Sequence, residues 1–287
     1  MNSMVKAIDI QCEDGIVIKG EIFSPAISGR KKKTVIINSA TGVSRSLYKN
    51  YAVYLAENGF DVMTYDYRGI AASRPKKMRG FEASFTIWGQ RDFTAVLAYV
   101  KKHFPDNKVL IMGHSIGGTL VGMSKDSSVI NGILNIGAQT AFYKDWRKGK
   151  YKLYFLWHLV FPLVTSIVGY FPGKRLGLLE DIPRGVIAQW NARRKSADMV
   201  GQLEKNGNRL FYHHFKGRLL TLGIEDDAIG TEPAIRRIHD LFTSAKREIE
   251  LVKPKELGVD SIGHFGFFSR KFTHTLWKRT MDWYTDV

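Results

Sequence analysis

The chain has almost no cysteine. Its 287 residues hold one, Cys12, so no intramolecular disulfide can form and a small stapled secreted scaffold is excluded. A reducing compartment fits, and Cys12 reads as a small apolar strand residue. Acidic residues are also few: 27 Asp/Glu stand against 43 Lys/Arg, a formal net charge of +16. A field of that sign favours anionic partners (nucleic acid, anionic lipid or acidic substrates) without choosing among them. The amino end lacks an apolar h-region and a cleavage site, so a cytoplasmic location is expected. Internal repeats and low-complexity tracts are absent. At 44% hydrophobic and 24% charged residues, the composition excludes a disordered chain. The length suits one large domain, or one domain carrying an insertion.

What is present is an alternation of apolar runs and helical patterns. Residues 4–10 and 15–23 alternate around Glu13-Asp14-Gly15 and read as a hairpin. Strands are expected at 34–38, 60–65, 108–112 and 129–136, with helices at 45–58, 89–104 and 115–125 between them. The pattern lapses after residue 142. It resumes with strands at 218–222 and 248–252 and helices at 232–243 and 267–284. Alternation of this kind predicts an α/β fold, a mostly parallel twisted sheet flanked by helices. Residues 1–142 and 218–287 form its core, and 143–217 are an inserted helical cap.

The insertion opens with Lys144, Arg147, Lys148, Lys150 and Lys152, then runs almost wholly apolar from Leu153 to Phe171. That run is long enough for a membrane span. Pro162, His158 and Gly169 interrupt it, and a single span would put the two halves of one sheet on opposite sides of a bilayer. A cap over the active site is the preferred reading. Residues 144–218 hold 15 Lys/Arg against 5 Asp/Glu, so contact of this basic, apolar cap with an anionic membrane surface is the intermediate case. Binding of nucleic acid is not expected, because no reading helix or stacking sheet is recognisable.

The sharpest chemical signal is Gly113-His114-Ser115-Ile116-Gly117, a G-x-S-x-G turn between a buried strand and a helix. Such a turn exposes the Ser115 hydroxyl above the sheet, and the Ile116 N–H beside it can donate to an oxyanion. A serine nucleophile needs a base, and with this elbow the order along the chain is Ser, acid, His. The acid should close a late strand, where Glu225-Asp226-Asp227 stand. Asp226 is the first choice from its spacing after Gly223, Asp227 the near rival and Glu225 third. His264, in the loop after the last strand, is the candidate base, with Gly263 and Gly266 allowing a tight loop. The second oxyanion donor belongs to the loop 39–43, with Val43 favoured after Gly42 and Thr41 next. Thr41, Gly42 and His114 are expected to line the substrate site. Cap aromatics Trp157, Phe161 and Trp190 either join them or build the cap's own core. No metal and no organic cofactor is called for; the adjacent pair His213-His214 is a weak metal signal.

With these residues in place the chain resembles the α/β-hydrolase superfamily, in its serine-aminopeptidase-like and monoglyceride-lipase-like branch, and is similar to bacterial predicted hydrolases. The motifs are Gly59-Phe60-Asp61-Val62, Asp66-Tyr67-Arg68-Gly69-Ile70, Ser73-Arg74-Pro75, Trp88 with Asp92, the elbow, Gly169-Tyr170-Phe171-Pro172-Gly173-Lys174, and Gly263-His264-Phe265-Gly266-Phe267-Phe268. Ala71 departs from the glycine usual after Arg-Gly-x, and Thr41 from the histidine many relatives carry before Gly42. The resemblance implies a serine hydrolase cleaving an ester or related acyl bond of a small-molecule substrate. Cleavage is expected to run through Ser115, Asp226 and His264 and an acyl-enzyme, and the apolar, aromatic cap, not the resemblance, suggests an apolar acyl or alcohol group. Aminopeptidase and thioesterase chemistry share that frame, and a non-catalytic membrane-peripheral binder on the same scaffold is the reading of a different class.

Overall fold

The computed structural model describes residues 4–26, 29–146, 149–193 and 196–287. Its main sheet has eight strands: β1 Met4–Gln11, β2 Val17–Ser24, β3 Lys33–Asn38, β4 Asp61–Tyr65, β5 Lys108–His114, β6 Ile130–Ile136, β9 Arg218–Ile224 and β10 Lys246–Val252. The short pair β7 Tyr170–Phe171 and β8 Ile182–Pro183 lies between β6 and β9 in the chain. Their order is β1-β2-β4-β3-β5-β6-β9-β10. β2 pairs antiparallel with β1 and β4, and β4 through β10 run parallel. A parallel sheet is covered on both faces, which is why its central strands β3, β4 and β5 are buried almost throughout. Successive side chains still alternate between faces. Val35, Ile37, Leu110 and Met112 join one layer with Tyr51, Leu55 and Trp277. Ile36, Ile111, Ile133 and Leu219 join the other with Trp88, Leu97 and Leu120. Each such burial stabilises by about 1.5–3 kcal/mol.

Two expected helices differ. The one after Ser115 is α-helical only over Ile116–Leu120 and tightens into a 3-10 turn at Val121–Met123. There Phe211 N–H donates to the Gly122 carbonyl at 2.6 Å. The Tyr212 ring lies so close that a Cβ on Gly122 would sit 2.0 Å from it. At the carboxyl end a continuous helix gives way to turns Gly266–Phe268 and Arg270–Phe272, a π turn Thr273–Trp277, and a regular helix Lys278–Asp286. The turns bury Phe267, Phe268, Phe272 and Trp277 together, and Trp277 Nε1 donates to the Phe267 carbonyl at 2.7 Å.

The described residues between β6 and β9 add no strand to the main sheet. They build a helix, Lys150–Phe155 continuing through the π turn Leu156–Val160 into Phe161–Val168, then the β7–β8 pair and helices Arg184–Ala192 and Met199–Lys205. Arg147 and Lys148 of the basic opening lie outside the described residues. This layer is tied to the sheet at several points. Glu180 N–H donates to the Gly42 carbonyl at 2.9 Å, Arg74 pairs with Asp181 at 2.9 Å, and Arg237 with Asp145 at 2.6 Å. Arg79 donates to the carbonyls of Ile167 and Val168 at the end of the long helix, satisfying groups a helix terminus leaves open.

Candidate active site

β5 ends at His114, and Ser115 turns the chain into the following helix with φ +54° and ψ −120°. A side chain rarely adopts that conformation, and it persists only where the surroundings impose it. Here they do. A Cβ on Gly113 would meet Gly118 Cα at 2.4 Å, and one on Gly117 would meet the Asn38 carbonyl at 2.2 Å. The two glycines therefore let the helix press onto β5 and β3. Asn38, fully buried, secures the contact: its Nδ2 donates to the Gly117 carbonyl at 3.1 Å, and its Oδ1 accepts from Tyr65 Oη at 2.8 Å.

His264 meets Asp227 and not Asp226. His264 Nδ1 and Asp227 Oδ2 are 2.6 Å apart, with the aspartate side chain buried. The other carboxylate oxygen accepts from Ile229 N–H and Gly230 N–H, both at 2.8 Å. Burial pushes the Asp227 carboxyl up, but the hydrogen bond from His264, the charge of that ring and the two amides outweigh it. The carboxyl therefore titrates below its usual value. Asp226, the first choice from spacing, serves a different task. Its two oxygens accept from Ile262 N–H at 2.9 Å and Gly263 N–H at 3.0 Å. It grips the backbone that leads into His264. Of these neighbours, the buried Asp227 meets the imidazole and the exposed Asp226 the backbone just before it.

The Ser115 hydroxyl makes no hydrogen bond to His264 among the described residues. Such bonds are often long in unliganded enzymes and tighten with substrate. Ile116 N–H is the first amide of its helix and has no partner within it. Val43 N–H, favoured as the second donor, is instead turned back to the Ala40 carbonyl at 3.3 Å. Thr41, the next choice, is buried, and its hydroxyl lacks a hydrogen-bond partner among the described residues. Gly42 lies under the cap, against Ile182 and Leu179.

His114 was expected to line the substrate site. It is wholly buried. Its Nε2 lies 2.9 Å from the His264 carbonyl, which can only accept, so Nε2 carries the proton. Nδ1 therefore accepts from Tyr48 Oη at 2.8 Å, and Tyr48 Oη accepts from Ala40 N–H at 2.8 Å. Burial, then the neighbouring His264 ring, lowers His114 to about 3, so it stays neutral. The chain Ala40, Tyr48, His114, His264 thus joins the loop around Thr41 to the loop of the candidate base. Sequence reasoning missed Tyr48 altogether, and nothing local marks it.

The cap aromatics pack on one another. Trp157 stacks on Trp190 with ring centroids 4.2 Å apart, and Phe161 lies 3.9 Å from Phe171. Two surface clefts of about 530 and 590 Å³ lie elsewhere, one along Arg91, Tyr99 and Lys125, the other beside Arg79 and Arg184. Neither is lined by Ser115, Asp227 or His264.

A second buried cluster fixes the loop after β4. Arg68 Nε donates to Asp92 Oδ1 at 2.6 Å and Arg68 N–H to Asp92 Oδ2 at 2.8 Å. Trp88 Nε1 donates to the Arg68 carbonyl at 3.0 Å. Burial raises Asp92 to about 6 against the pull of Arg68. Cys12, buried beside it, is raised to about 12 by burial and then by Asp92. In the same loop Ala71 holds φ +42°, a conformation that suits glycine better than alanine.

Residues 29–133 match the family described as serine aminopeptidase, S33. No curated protein matches the chain. Among solved structures it is similar to a monoglyceride lipase from Saccharomyces cerevisiae, a soluble variant in complex with a substrate analogue. That match has 17% identity and TM-score 0.66, covering 96% of this chain and 94% of that one. It is similar also to an esterase from Pyrococcus furiosus (15%, TM-score 0.63, 98% and 90%). A third is an esterase domain from Rhodothermus marinus (15%, TM-score 0.58, 99% and 98%). On its sheet order and these likenesses together, the chain has the α/β-hydrolase fold.

Proposed function

We propose that the protein is a serine esterase, with Ser115 as nucleophile, His264 as general base and Asp227 as the acid of the triad. The observation that carries this is the 2.6 Å contact of His264 with Asp227 at the sheet edge where Ser115 is held in a strained turn. In the reaction His264 Nε2 takes the Ser115 proton as the oxygen attacks the acyl carbon. Asp227 keeps the other proton on Nδ1 and stabilises the imidazolium. The Ile116 and Thr41 amides hold the oxyanion. His264 then protonates the leaving alcohol, activates a water, and the acyl group leaves as the acid. The monoglyceride lipase and esterase likenesses and the apolar cap favour an ester with an apolar acyl or alcohol group.

A fluorophosphonate probe should label Ser115, and Ser115→Ala should abolish labelling. The same change should lower turnover of p-nitrophenyl esters by on the order of a thousandfold or more. A series of acyl lengths beside an aminoacyl amide separates esterase from aminopeptidase. Folded protein that neither labels nor turns over any ester returns the chain to the class of non-catalytic binders.

A further inference from the structure

The long cap helix has two unlike faces. Its inner face buries His158, Phe161 and Thr165. Its outer face carries Phe155, Leu159, Leu163 and Ile167, four residues apart and 54, 56, 60 and 70% exposed. A four-residue repeat drifts around a regular helix, because a turn takes about 3.6 residues. The π turn Leu156–Val160 winds more slowly and offsets part of that drift. The row therefore stays on one side over about 18 Å. Past the helix, Leu176 and Leu178 are exposed as well. Their loop reaches the candidate site, where Leu179 packs on Gly42. Lys152, Lys174 and Arg175 stand exposed beside these apolar groups, and residues 144–218 hold 15 Lys/Arg against 5 Asp/Glu.

Soluble monomers rarely leave so large an apolar patch open. A membrane span does not account for it. The helix Tyr151–Val168 is long and apolar enough, but β6 before it and β9 after it hydrogen-bond to each other. A second copy of the chain would bring two strongly basic caps face to face. We propose that this face docks on an anionic lipid bilayer. The row from Phe155 to Ile167, with Leu176 and Leu178, enters the acyl boundary, while Lys152, Lys174 and Arg175 meet the headgroups. Substrate partitioned in the bilayer then reaches the site along the same surface.

The test is co-sedimentation with phosphatidylglycerol vesicles and with phosphatidylcholine vesicles, and it needs no turnover, so it stands apart from the esterase reading. The protein should bind the anionic vesicles and largely ignore the neutral ones, less tightly as salt rises. Leu159→Glu/Leu163→Glu should weaken binding by at least about tenfold, with an unchanged circular dichroism spectrum and unchanged hydrolysis of a soluble p-nitrophenyl ester. Lys174→Glu/Arg175→Glu, which leaves the apolar row intact, should erase the preference for anionic lipid. Wild type that ignores phosphatidylglycerol, a leucine variant that binds as wild type does, or a dimer that the leucine changes dissolve overturns the proposal.

Discussion

Asp226 and Asp227 are adjacent in the chain and hold different parts of one loop: Asp227 the imidazole of His264, Asp226 the amides of Ile262 and Gly263 just before it. Their replacements should therefore separate. Asp227→Asn should lower turnover by about ten-thousandfold, the scale seen when a triad acid loses its charge. Asp226→Ala should cost about 1–3 kcal/mol of stability and much less turnover. Steady-state kinetics beside urea unfolding of both variants decides it. Because the Asp227 carboxyl is lowered in the folded state, its stabilisation is complete above the ordinary value of 3.8 and is lost as pH falls through the folded value. The stability gap between wild type and Asp227→Asn should close in that acid range.

His114 acts in the same direction over a higher pH range. Unfolded, its imidazole takes a proton near 6.5; folded, it resists protonation down to about 3. Between those values the unfolded chain binds more protons, so stability falls as pH falls. One pKa unit corresponds to about 1.4 kcal/mol, so wild type should lose a few kcal/mol across this window. His114→Asn should be weaker at neutral pH and show a flatter profile. Urea midpoints at a series of pH values provide the measurement.

Tyr48→Phe removes one hydroxyl that both accepts from Ala40 N–H and donates to His114. Two buried groups lose their partner, at about 1–3 kcal/mol each if unsatisfied. Turnover should fall with little change in KM, since the loop that carries Thr41 is then held less firmly. An unaltered melting temperature together with unaltered turnover would remove Tyr48 from the network.

Ala71→Gly should stabilise, by up to about 1 kcal/mol, because Ala71 occupies φ +42° where glycine carries no Cβ penalty. Thermal melts suffice, and ester turnover should not change.

The strands were legible because burial on both faces leaves unbroken apolar runs such as Val35-Ile36-Ile37. The elbow was legible because close packing admits only glycine at 113 and 117. The choice between Asp226 and Asp227 was not, since both share one local sequence and differ only in where the turn aims them. The task of His114 was hidden for another reason: its partners lie 66 and 150 residues away. The breaks in the carboxyl-terminal helix follow from packing four aromatic rings, which helical periodicity does not record.

β6 and β9 lie side by side although some eighty residues of chain separate them. The eight-stranded sheet is thus complete without the segment between β6 and β9. That segment can be exchanged, lengthened or re-surfaced while the hydrogen-bonded frame below keeps its register. Variation in what this scaffold accepts is free to accumulate in one replaceable part.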